Sequence, residues 1–170
     1  MFQIVITKRE LLELWNALPT LADLKGFNLG YAVARTKVKL RPEIEALDES
    51  LKPDDAFQEY TKRRLELCNY YAQKDERGPI ILGNKFVFGD NQKAFDEAMI
   101  PLNVEFAQAT KYREQQSLDY NNALSEPITV EIHQITKSDI PLDPEPTVAQ
   151  MGVLYYLLRE QDVVVPLKAV

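Results

Sequence analysis

A chain of 170 residues, 45% hydrophobic and 27% charged, has the length of one globular domain and is too apolar to stay unfolded. One histidine and one cysteine exclude a Cys/His zinc site, which takes about four such ligands. Cys68 alone also excludes an intrachain disulfide, in keeping with a reducing compartment. The net charge of −6, from 20 basic and 26 acidic residues, opposes nonspecific attraction to nucleic acid or anionic lipid.

The first residues, MFQIVITKRE, turn charged after a short apolar run, so no secretory signal is expected. No window approaches the ~18 consecutive apolar residues of a membrane span. Phe2 to Ile6 is β-branched and apolar and predicts a strand. Thr7 and Glu10 then have the spacing of a capping box, opening a helix with Leu11, Leu14, Trp15 and Leu18 on one face and Pro19 at its end.

From Leu29 the pattern is strongly helical. Leu29, Val33, Thr36, Leu40, Ile44, Leu47 and Leu51 form one stripe, and Pro42 predicts a kink or restart near Arg41. Lys52 to Asp55 reads as a tight turn that caps the next helix, whose inward stripe is Phe57, Tyr60, Arg64, Leu67, Cys68 and Tyr71. So short a connection predicts an antiparallel helical hairpin over about 29–74, with Leu47, Leu51 and Phe57 facing the core near the turn.

Asp75 to Pro79 ends that hairpin. Ile80 to Leu82 and Lys85 to Phe88 flank Gly83-Asn84, which predicts a β-hairpin with a type II′ turn. Gly89 to Asn91 is the expected cap of a third long helix, with its seam at Phe95, Met99, Leu102, Phe106 and Ala109 and a second kink at Pro101. Tyr112, Leu118 and Tyr120 continue it less regularly to Ser125.

Ile128, Val130 and Ile132 alternate with Thr129, Glu131 and His133, the signature of a half-buried strand. A proline-rich connector from Asp139 to Pro146 follows. Thr147 and Gln150 make a second capping box before a helix striped by Val148, Met151, Leu154, Tyr155 and Leu158. The apolar tail, Val163 to Val170, is expected to add an edge strand near Phe2–Ile6 or Ile128–Ile132, or to pair across a homodimer. The sum is one domain, 1–170, of α+β class: an elongated bundle of three long helices with a small antiparallel sheet and a C-terminal helix.

Candidate chemistry is sparse. His133 shares a strand face with Thr129 and Glu131, but no nucleophile or phosphate loop accompanies it, so the pattern favours an exposed strand histidine. Cys68, between Leu67 and Tyr71, reads as a core thiol. Arg35, Lys37, Lys39 and Arg41, with Lys62-Arg63-Arg64, are the one basic concentration. Their alternation, and the acids Glu43, Glu45, Asp48 and Glu49 that follow, suit a solvated surface with interhelical ion pairs. Asp54-Asp55 and Asp90-Asn91 sit at helix starts, where capping accounts for them. No calcium loop, GxxxxGK[ST], GxGxxG or GxSxG occurs, so no catalytic, cofactor-binding or metal-binding residues are assigned. Tyr70-Tyr71 and Tyr155-Tyr156 each pair an inward ring with an exposed one, the kind that anchors interfaces.

KLRPEIEAL (Lys39 to Leu47) and LCNYYAQKDERG (Leu67 to Gly78) precede the strand pair and the long helix. VEIHQITKSDIP (Val130 to Pro141) then precedes the final capped helix. In this order the chain resembles a group of small proteins of tailed phages and prophages that has no assigned activity, from which no functional residue carries over. Pro101 departs from the smoother charged helix of that group. The resemblance implies a phage context: a non-enzymatic protein acting by protein–protein contact as an assembly factor, virion accessory or host-interference factor. Its place would be the host cytoplasm or the virion. An acidic inhibitor of a host nucleic-acid enzyme is the second reading, although mixed signs along each helix disfavour it. An enzyme with an unfamiliar site around His133 and Glu131 is the third.

Overall fold

The computed structural model describes residues 2–158. In chain order the elements are β1 (Phe2–Thr7), α1 (Lys8–Ala17), α2 (Phe27–Ser50), α3 (Asp55–Tyr71), β2 (Lys74–Asp75), β3 (Gly78–Pro79), β4 (Ile81–Leu82) and β5 (Lys85–Phe86). Then come α4 (Gln92–Glu105), α5 (Ala107–Ala123), β6 (Pro127–Ile132) and α6 (Val148–Leu157). The class is α+β, as the pattern implies: helices dominate, with one antiparallel β1–β6 sheet and two minimal hairpins among the described residues. The described residues form two compact units, one from Phe2 to Ser50 together with Tyr120 to Leu158, the other from Leu51 to Asp119. Of the helices expected to make a hairpin over 29–74, α2 belongs to the first unit and α3 to the second. The terminal segment Val163 to Val170 lies outside the described residues.

The first unit is built on β1 and β6, paired from Phe2↔Ile132 to Thr7↔Pro127. Alternation puts Ile6, Val130 and Ile132 inside, while Val5 and Thr129 face water. The strand runs directly into α1 through the expected capping box: Thr7 Oγ1 accepts from the Glu10 amide at 3.2 Å, and the Glu10 carboxylate accepts from the Thr7 amide at 2.7 Å. The amides of Lys8 and Arg9, which no helical carbonyl can reach, donate to the carbonyls of Glu126 and Leu124. Pro19 stops α1 and a 3-10 turn, Leu18–Asp23, follows. The core gathers Leu11, Leu14, Leu18 and Leu21, then Leu29, Leu40, Ile44 and Leu47 from the expected α2 stripe, and Leu154 and Leu157 from α6. Helix α2 runs through Pro42 as one helix.

The buried face of α6 differs from the expected stripe. Gln150, Val153, Leu154 and Leu157 point inward, whereas Val148 is 92% exposed and Met151 and Tyr155 also face solvent. The segment VAQMGVLYYL is apolar on every side, so periodicity selects no face. Polar chemistry selects it instead. Gln150, fixed in its capping box by the Thr147 amide at 2.9 Å, also donates to the Thr20 carbonyl at 2.7 Å.

In the second unit α3 packs antiparallel to α4. Tyr60 and Arg63 meet Asn103 and Glu105 at one end, and Tyr71 meets Asn91 and Phe95 at the other. Asp54 caps α3, its carboxylate accepting the Phe57 amide at 2.7 Å. Asn91 does not cap α4. It lies in a 3-10 turn that feeds straight into the helix, and its side-chain amide donates to the Tyr71 carbonyl at 3.0 Å. The third helix is divided into α4 and α5, but at Phe106 rather than at Pro101. There φ is −104° and ψ 17°, and the ring contacts Tyr60 and Arg63 hold the break in place.

Between the helices the chain folds into two linked hairpins. Gln73 donates to Val87 and accepts from Ile80, and Val87 donates to Ile80, so three backbone positions lock together. The turn at Gly83-Asn84 has φ of 54° and 66°, which makes it type I′ and corrects the type II′ expectation. Asparagine tolerates the left-handed region, so the Gly-Asn pair satisfies both positive φ values.

Candidate functional site

The second unit contains a half-open cleft of about 540 Å³. One wall is a single face of α3, where Thr61, Arg64, Leu65 and Cys68 recur at i, i+3, i+4 and i+7. The β4–β5 hairpin supplies Asn84, Lys85 and Phe86, and Phe88, Gln92 and Phe95 close the remaining side. Phe88 and Phe95 stack with centroids 4.2 Å apart and planes within 14°. Phe86 extends the stack on one side, and Tyr71 meets Phe95 edge-on on the other. This aromatic row stays half-exposed, in a unit whose buried side chains are few: Cys68, Ala72, Met99, Leu102 and Ala109.

Beside the cleft, Ile81 and Leu82 are 54% and 68% exposed, each directly across the hairpin from a lining residue, Phe86 and Lys85. Leu65 is half-exposed as well. Cys68 is buried at the base of this surface. Burial pushes its thiol pKa up, and the nearby Arg64 charge only partly offsets that, so the protonated form is favoured.

Of the residues singled out by sequence, Cys68 and Arg64 line the cleft, and the others lie elsewhere. His133 follows β6; its amide donates to Thr36 Oγ1 at 3.0 Å, and its ring sits edge-on to Tyr31 with centroids 5.3 Å apart. Glu131 pairs with Lys39 at 2.8 Å, which holds its carboxyl below the usual range. Tyr31 in turn stacks on Phe27, so His133 belongs to a row of rings and Glu131 to an ion pair.

The basic groups divide in the same way. Lys37 covers the Trp15 ring at 4.8 Å, and Arg63 forms an interhelical pair with Glu105 at 2.5 Å. Tyr70 and Tyr155 are exposed, each edge-on to its half-buried neighbour. Among the described residues no three His, Cys, Asp or Glu side chains gather where they could hold a metal ion. None of the described helices is long and apolar enough to cross a membrane.

The cleft itself was not visible in the sequence as a motif. Its available signal is the Thr61 to Cys68 face of α3, which shares Arg64 and Cys68 with the expected inward stripe, set against a hairpin with more large apolar residues than a minimal two-strand ribbon can bury. No family model, curated protein or solved structure shows a significant match to the chain.

Proposed function

We propose that this is a phage or prophage protein that works by protein–protein contact rather than catalysis, in the host cytoplasm or on the virion. Assembly, virion accessory and host interference are its three candidate settings. The phage setting is what the resemblance carried by Lys39–Leu47, Leu67–Gly78 and Val130–Pro141 implies. The contact reading is carried by one observation: Leu65, Ile81 and Leu82 stand exposed around an aromatic-lined cleft. Apolar side chains concentrated at one place, and not scattered singly, mark interaction surfaces. Supporting it, the one thiol in the cleft is buried and held protonated, the opposite of a nucleophile's setting.

Affinity capture from phage-infected cells tests the proposal. Wild type is expected to retain a defined protein that Leu82→Glu, with an unchanged melting temperature, fails to retain. An identical retained set for both would overturn the contact surface.

A further inference from the structure

We infer that the cleft is the docking site for a partner peptide segment that presents a bulky apolar side chain beside a carboxylate. This deepens the contact reading and rests on it. The apolar half of the requirement comes from Phe86, Phe88 and Phe95, stacked and half-exposed rings that line a volume of about 540 Å³. Pockets of this size hold a few large groups.

The charged half comes from Arg64 and Lys85. Among the described residues neither side chain forms an ion pair or a hydrogen bond, and no acidic residue lines the cleft. Arg63, next in sequence to Arg64, is by contrast engaged with Glu105. On a chain of net charge −6, two unpaired cations at one apolar hollow are a local reversal of sign, and their complement is a carboxylate. A guanidinium binds a carboxylate in a fork geometry, and a lysine adds a point charge.

The exposed neighbours favour a peptide over a compact small molecule. Ile81 and Leu82 continue the apolar surface past the cleft on the strand opposite Phe86 and Lys85. A chain segment can cover both the hollow and this extension. A small molecule filling the hollow would leave them in water.

The test is selection from a random peptide display library on the full chain and on the Arg64→Glu/Lys85→Glu variant, with melting temperatures measured for both. One enriched peptide is then synthesised and titrated. Wild type is expected to enrich peptides with an aromatic or leucine residue next to Asp or Glu. The variant is expected to switch to Lys or Arg neighbours and to bind the acidic peptide roughly tenfold or more weakly, as loss of charge-assisted contacts requires. Lys85→Glu alone, on the exposed hairpin, repeats the titration should the double variant unfold. The same peptides enriched on both chains, no acidic neighbour, or no enrichment at all would overturn the inference. The Leu82→Glu capture experiment leaves Arg64 and Lys85 in place. Loss of the retained protein there, with no charge preference here, would remove the docking chemistry and leave the contact surface standing.

Discussion

The hydroxyl of Thr36, fully buried on α2, accepts the backbone amide of His133 at 3.0 Å, just beyond the last residue of β6. Among the described residues the ladder with β1 ends at Ile132, and a helix side chain takes the next amide. Thr36 also sits within the apolar stripe of α2, where a polar side chain needs such a reason to be inside.

Thr36→Val keeps the shape and removes the acceptor. It is expected to cost about 1–3 kcal/mol in urea unfolding, because the half-buried His133 amide loses its acceptor. Thr36→Ser retains the acceptor and loses one methyl, for about 0.8 kcal/mol. If serine proved the more damaging substitution, packing and not the hydrogen bond would be the function of this residue.

Glu10 provides a pH test. Its carboxylate accepts from the Thr7 amide and hydroxyl, which lowers its pKa below the ordinary value. A depressed folded-state pKa gives stability that is present above the unfolded value, about 4.3, and lost as pH falls through the folded one. Glu10→Gln can still accept the Thr7 amide but cannot titrate. The stability gap between wild type and variant should therefore be constant near neutrality and close on acidification below about pH 4. A gap that widens in acid would contradict the assignment. Glu131, lowered by Lys39, titrates in both proteins and cancels in the difference.

Gly89 tests the join between the hairpins and α4. Its φ of 53° is left-handed, and a Cβ placed there would lie 2.1 Å from Gln73 Nε2. Gly89→Ala should cost about 1–2 kcal/mol from the backbone alone, with a further loss from displacing Gln73. In the Gly89→Ala background, Gln73→Ala should recover the steric part and not the backbone part. Thermal melts of Gly89→Ala, Gln73→Ala and the double variant separate the two contributions, and a silent Gly89→Ala would refute both.

The single cysteine and the single tryptophan lie in different units, Cys68 in the second and Trp15 in the first. With few buried side chains, the second unit is expected to open first. Thiol labelling of Cys68 should then rise at a lower urea concentration than the shift in Trp15 fluorescence. Coincident transitions would instead make the chain one cooperative unit.

What the sequence made legible follows from how many independent signals agreed. The α2 stripe recurs for six turns with polar residues between, and Leu29, Thr36, Leu40, Ile44 and Leu47 are buried as expected. Thr7 and Thr147 were found because a capping box needs only a local pair. The α6 face escaped because apolar residues surround that helix, and its orientation depends on a long-range bond from Gln150 to Thr20. The turn type escaped because Gly-Asn suits two left-handed residues as readily as one. The cleft escaped because it is assembled from α3, a hairpin and α4, no one of which carries a motif.

The pairing of Ile4 with Val130 has a consequence for the order of folding. Formed first, that contact would close a loop of roughly 126 residues; with the second unit already collapsed, the flexible length falls to roughly 57. The entropic cost of closure then drops by about 0.7 kcal/mol. In the second unit α3 and α4 are successive helices whose hydrogen bonds span 20 to 43 residues, and the two minimal hairpins are local, so its contacts close far shorter loops and form sooner. The middle of the chain thus acts as an early-forming spacer, and the two ends meet in the sheet late.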